Sequence, residues 1–128
     1  MAKVSARSES GYTQFIEARS HRLVSDEPVS MGGADQGANP YELLLAGLAS
    51  CTGITLRMYA QRKEWELGEV SVMTHFYRDD AGAEFVQREI SVGASLPEEQ
   101  LQRLAEIAEK TPVTKTVRRS MPIETKWI

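Results

Sequence analysis

The apolar positions change period several times along this chain, and each change predicts an element. Tyr12, Gln14, Ile16 and Ala18 alternate with Thr13, Phe15 and Glu17, a period of two with aromatic and β-branched content that predicts a strand. Gly11 is a predicted hairpin turn before it, and His21-Arg22-Leu23-Val24 begins a third strand that Asp26-Glu27-Pro28 closes. The loop from Met31 to Pro40 contains Gly32, Gly33 and Gly37, which permit positive φ. Asn39 then suits an N-cap and Pro40 the first helical position. The helix that starts there should run to about Arg62. Apolar residues nearly encircle it, which predicts a central helix buried on most sides.

Past Trp65, Glu69 to Tyr77 alternates as a strand, Asp79-Asp80-Ala81-Gly82 is a turn, and Glu84 to Gly93 alternates as the returning strand. Ser95-Leu96-Pro97-Glu98 reads as a capping box with Pro inside the start. It opens a second helix with the stripe Leu101, Leu104, Ala105, Ile107 and Ala108. Thr111-Pro112 interrupts that helix, a short helical piece follows, and Ile123 to Ile128 is predicted to end the chain as a strand. Strands in antiparallel runs, rather than alternating βα units, indicate an α+β fold.

With 128 residues, the sequence reads as one domain, 1–128, able to bury a core without disulfides or structural metal. The single cysteine excludes an internal disulfide framework and a multi-thiolate zinc site within one chain. It suits a reducing, cytoplasmic setting. No apolar h-region follows the N-terminus, so no signal peptide is expected. Leu43 to Ala60 is broken by Ser50, Thr52, Gly53, Thr55 and Arg57, as in a buried helix rather than a membrane span. A net charge of −3 gives no support for nucleic acid, and the basic cluster Lys110 to Arg119 reads as a solvated terminus. His21 and His75 read as ordinary strand residues and Asp35 as a turn former. No metal and no cofactor are expected.

The candidate chemistry centres on Cys51, about three turns into the long helix. Free cysteine is among the most buried residue types and packs as a small hydrophobe. A reactive thiol needs cationic neighbours or a helix N-terminus. Cys51 has neither on its own helical face, where Leu44, Gly47, Leu48, Ile54, Thr55 and Met58 surround it. An inert core residue and a thiol activated from another element or another subunit both stand at this point.

Gly32-Gly33, Gly37, Asn39-Pro40, Glu42-Leu43-Leu44, Ala49-Ser50-Cys51-Thr52 and Leu56-Arg57-Met58-Tyr59-Ala60 together resemble the OsmC/Ohr family, above all its short OsmC-like redox-protein branch. Asp26-Glu27-Pro28, Arg62-Lys63-Glu64-Trp65 and Ala108-Glu109-Lys110-Thr111-Pro112-Val113 extend the similarity over nearly the whole chain. The resemblance implies antiparallel sheets around a long central helix, an intertwined homodimer, and an active site at the subunit interface. It also implies a role in the oxidative stress response. In relatives, one cysteine attacks an organic hydroperoxide and a second, in a Cys-Pro pair, resolves the sulfenic acid as a disulfide. Cys51 matches the first cysteine; the second position reads Thr111-Pro112 here.

Thr111 cannot resolve a sulfenic acid, so the implied peroxidase is a one-cysteine enzyme that needs an external thiol reductant. Thr111 either ends a helix or presents a hydroxyl to Cys51, and the family geometry favours the second. Relatives also use a glutamate ten residues before the cysteine, where this chain has Tyr41. Glu42 lies one residue later, ~100° around a helix, and either substitutes or matches a second acidic position. The arginine that relatives carry at an early hairpin is absent near Ser10-Gly11, with Arg7, Arg19 and Arg22 nearby. The alternative function is a non-catalytic dimer that binds a small apolar or acyl ligand at its interface. Neither reading involves nucleic acid or a membrane.

Overall fold

The computed structural model describes residues 1–128. The chain forms two compact units, Met1–Leu45 and Ala46–Ile128. In the first, β1 (Ser5–Arg7), β2 (Gln14–Ala18) and β3 (His21–Ser25) make an antiparallel sheet in that order. The register pairs Ile16 with both Ala6 and Leu23. Gly11 has φ +69°, as a turn at that point requires.

The glycine loop is built around Asp26, a buried carboxylate. Thr13 Oγ1 donates to it at 2.8 Å, and the backbone N–H groups of Glu27 and Gln36 donate at 2.8 and 3.3 Å. Gly33 and Gly37 are needed for close approach rather than for unusual φ. A Cβ at Gly33 would stand 2.0 Å from the Glu27 carbonyl oxygen, and one at Gly37 2.1 Å from that of Val24. Asp35 sits in the left-handed region at φ +53° and donates its N–H to the Glu27 carbonyl, which makes it a turn residue.

Helix α1 (Pro40–Lys63) starts where expected. Asn39 Oδ1 accepts from the Glu42 N–H at 2.8 Å, and Glu42 Oε1 accepts from the Asn39 N–H at 2.9 Å, a reciprocal capping box. By length and composition alone α1 is long and apolar enough to cross a membrane. Its buried stripe of Leu48, Thr52, Leu56, Tyr59 and Ala60 is that of a core helix.

In the second unit, β4 (Val70–Arg78) and β5 (Glu84–Val92) pair antiparallel, with Thr74 opposite Arg88 and Phe76 opposite Val86. Asp79 Oδ1 closes their turn by accepting from the N–H groups of Ala81 and Ala83. Helices α2 (Glu98–Ala108) and α3 (Pro112–Arg119) follow. The core gathers Leu56, Tyr59, Ala60, Leu67, Leu104 and Ala108, with Trp65, Val70, Val92, Leu96 and Ile107 packed around it. Burying a leucine such as Leu56 or Leu104 is worth about 1.5–3 kcal/mol.

The architecture is α+β, as the sequence implies, with three corrections. Helix α1 is buried along one stripe only; Leu44, Ile54 and Met58 are more than half exposed, because the elements that cover it lie on one side. Helix α2 begins at Glu98 with Pro97 as its N-cap and no side-chain cap, so Ser95 forms no capping box. Ile123 to Ile128 is not a strand: the segment pairs with neither sheet of the chain, and Ile123, Trp127 and Ile128 are nearly fully exposed.

Candidate functional site

The residues that converge in the second unit do so around Arg88. In β4 and β5 the side chains of Thr74, Phe76, Val86 and Arg88 share one face, since they occupy paired positions of one register, and Thr74, Phe76 and Arg88 are half-buried there. A guanidinium in that set must find partners or carry a heavy desolvation cost. Its side chain is only 12 % exposed. Arg88 Nη1 donates to Thr52 Oγ1 on α1 at 3.0 Å and to Thr114 Oγ1 on α3 at 2.8 Å. Nη2 donates to the Ala108 carbonyl at the end of α2 at 3.0 Å, where a cation also meets the negative end of the helix dipole. Glu109 Oε1 lies 3.6 Å from Nη2.

The hydroxyls continue the network. Thr52 Oγ1 donates to the Leu48 carbonyl one turn back at 2.7 Å, and Thr111 and Thr114 share a 2.6 Å hydrogen bond. Thr52 and Thr111 are fully buried and Thr114 nearly so. Buried polar groups of this kind are expected to be satisfied, and here each has a partner. Glu109 also binds Arg118, whose guanidinium, opposed by burial and helped by the Arg88 charge, holds the Glu109 carboxyl below its usual range.

Cys51 is a free, half-buried thiol on α1, immediately before Thr52. Two cavities flank it along the helix without including it. One of about 450 Å³ has Leu48, Phe76, Val86 and Val117 as apolar walls, with Arg88 and Thr114 also lining it. The other, of about 680 Å³, is lined by Thr55, Met58, Ile107 and Pro112 among others. Cys51 lies one turn beyond Leu48 and one turn before Thr55.

Of the residues singled out by sequence, Thr111 is placed as the N-cap residue of α3, its hydroxyl engaged by Thr114. Glu42 lies in the first turn of α1, where Asn39 engages its carboxylate. Arg88, Thr52 and Thr114 form the network that the sequence reading did not single out. The available signal was an arginine set in the same register of β5 as Val86, Ile90 and Val92.

The sequence model of the OsmC-like protein family matches residues 32–126. Several solved structures share the fold. A candidate osmotic stress induced and detoxification response protein of Psychrobacter arcticus superposes with a TM-score of 0.78 at 18% identity, over 91% of this chain and 88% of that one. An OsmC-like protein of Mycoplasma pneumoniae gives 0.73 at 17% identity, over 92% and 87%. The organic hydroperoxide resistance protein OhrB of Bacillus subtilis gives 0.63 at 27% identity, over 92% and 90%. Among curated protein sequences nothing matches.

Proposed function

Because the chain belongs to the OsmC-like protein family, we propose that it is a thiol-dependent peroxidase in which Cys51 reduces an organic hydroperoxide. The observation that carries this reading is the setting of Cys51: a free thiol, half-buried, next to a residue pinned by a buried arginine. Solved relatives described as organic hydroperoxide resistance proteins support it. The Cys51 thiolate attacks the outer peroxide oxygen and the O–O bond breaks. The alkoxide leaves and takes a proton to become the alcohol, and Cys51 becomes a sulfenic acid. With threonine at position 111, an external thiol condenses with the sulfenic acid and releases water. A second external thiol then frees Cys51 and leaves as the disulfide.

We place the reaction in a cytoplasmic homodimer, so that the exposed faces at Ile54, Met58 and the Ile123–Ile128 segment are covered by a second copy. Dimedone labelling after cumene hydroperoxide tests the chemistry. A sulfenic acid on Cys51, absent in Cys51→Ser, is expected. An unlabelled Cys51 under conditions that consume a two-cysteine relative removes the peroxidase reading. Light scattering on purified protein tests the dimer, and a monomer at all concentrations rejects it.

The second reading is a dimer that binds a small apolar or acyl ligand without turnover. The two cavities beside Cys51 favour it, as does the engagement of Glu42 and Thr111 by neighbouring groups. Native mass spectrometry of the purified protein separates the two: a retained small molecule favours binding, and a bare dimer whose Tm ignores fatty acids counts against it.

A further inference from the structure

We propose that Arg88 is a positioning residue for Cys51: it fixes the roll of α1 through Thr52 and so sets how the thiol is presented. This rests on the reading of Cys51 as the reacting thiol.

The argument starts from what a buried guanidinium does that an apolar residue would not. Removing a charge from water is costly, and a methionine or leucine would fill the same inward position on β5 without that cost. Arg88 instead uses both ends of its fork on three different elements: Thr52 on α1, Thr114 on α3 and the last carbonyl of α2. A lysine has a compact ammonium and no rigid fork, so it cannot reproduce two hydroxyl contacts and a carbonyl contact at those separations.

Thr52 converts that fork into an orientation for Cys51. Successive helical residues are set ~100° apart, so fixing the direction of Thr52 fixes that of Cys51. Thr52 Oγ1 is held on two sides, by Arg88 at 3.0 Å and by the Leu48 carbonyl at 2.7 Å. The result is an inward, fully buried Thr52 and, one step around, a half-buried Cys51 at the boundary of the core. If α1 rolled inward the thiol would be buried as Thr52 is; if it rolled outward it would move into solvent. A misplacement of ~1 Å at a reacting atom costs about a hundredfold in rate.

The test is a set of single-turnover rates for Cys51 with cumene hydroperoxide, trapped by dimedone, and with iodoacetamide. The proteins are wild type, Arg88→Lys, Arg88→Met, Thr52→Val, Thr52→Ser and the Arg88→Met/Thr52→Val double variant. All are measured at a temperature where circular dichroism shows each one folded. Both Arg88 variants and Thr52→Val are expected to slow hydroperoxide oxidation about tenfold or more. Thr52→Ser, which keeps the hydroxyl, should stay within about threefold of wild type, and the double variant should be no slower than Arg88→Met, because the two residues act as one unit.

Unchanged rates in folded Arg88→Met overturn the proposal and leave Arg88 a purely structural strut. Fully multiplicative losses in the double variant overturn it as well. If wild-type Cys51 ignores the hydroperoxide altogether, the peroxidase reading fails on its own. The iodoacetamide rates still decide the positioning claim: parallel changes in Arg88→Met and Thr52→Val uphold it, and identical rates in all variants reject it.

Discussion

The hydroxyls of Thr111 and Thr114 stand 2.6 Å apart, buried at the start of α3, and Thr114 also accepts from Arg88. Replacing Thr114 with valine keeps the shape and removes both contacts. Arg88 is left one acceptor short and the Thr111 hydroxyl is buried alone. Leaving buried polar groups unpaired costs about 1–3 kcal/mol. Urea denaturation should show Thr114→Val destabilised by that amount and Thr114→Ser by less. A valine variant as stable as wild type would show that the network contributes nothing to stability.

At the other end of α1, the capping box separates two roles for Glu42. Glutamine can close a capping box as glutamate does, so Glu42→Gln should unfold within about 0.5 kcal/mol of wild type, while Asn39→Ala should lose about 1 kcal/mol. Cumene hydroperoxide consumption by Glu42→Gln is expected to stay within about twofold of wild type. A large loss of turnover in a protein of unchanged stability would assign the carboxylate to chemistry.

Asp26 makes the glycine loop sensitive to acid. The Thr13 hydroxyl, opposed by burial and joined by the N–H groups of Glu27 and Gln36, holds its carboxyl below the usual value. A depressed folded-state pKa gives stability that is complete above the ordinary carboxylate value of about 4 and is lost as the pH falls through the lower folded value. Amide exchange at Gln36, whose N–H is bonded to Asp26, should therefore lose protection in that acid range. In Asp26→Asn the loss should be flattened and protection lower throughout; an identical acid profile would rule out this carboxylate as the cause.

Two glycines should answer to alanine in opposite directions. At Gly33 a Cβ would meet the Glu27 carbonyl oxygen and the Asp26 carboxylate within 2.8 Å. Forced overpacking of this kind costs about 1–3 kcal/mol. At Gly47, inside α1, a Cβ meets nothing within 4 Å, and alanine in a helix interior gains about 0.5–1 kcal/mol over glycine. Thermal unfolding of the two variants should move Tm down and up respectively, and a drop for Gly47→Ala would reveal a close neighbour on that face.

The elements that announce themselves locally were readable from the sequence. Asn39-Pro40 sets the start of α1, and period-two runs set β2, β4 and β5, because caps and pleats depend on nearby residues. The readings that went astray depended on distant partners. A strand at Ile123 to Ile128 needs a neighbouring edge, and its alternation says nothing about whether one is present. The encircling apolar pattern of α1 could not tell which side the hairpin and α2 would cover. At the candidate site, Cys51 and Thr111 stood out through the family pattern. Arg88 did not: one arginine in a strand carries no spacing signal, and its role appears only when β5 brings it against hydroxyls 36 and 26 residues away in sequence.

The uncovered C-terminal segment also gives the protein a built-in pair of optical probes. The sequence has two tryptophans. Trp65 is half-buried with its ring edge-on to Tyr59 at 5.6 Å, while Trp127 is 94% exposed. Unfolding can only wet Trp65 further and shift its emission to the red. Anything that covers the C-terminal segment can only dry Trp127, shifting its emission to the blue and shielding it from acrylamide. Association and unfolding therefore push the fluorescence of the unlabelled protein in opposite directions, and one spectrum tells them apart.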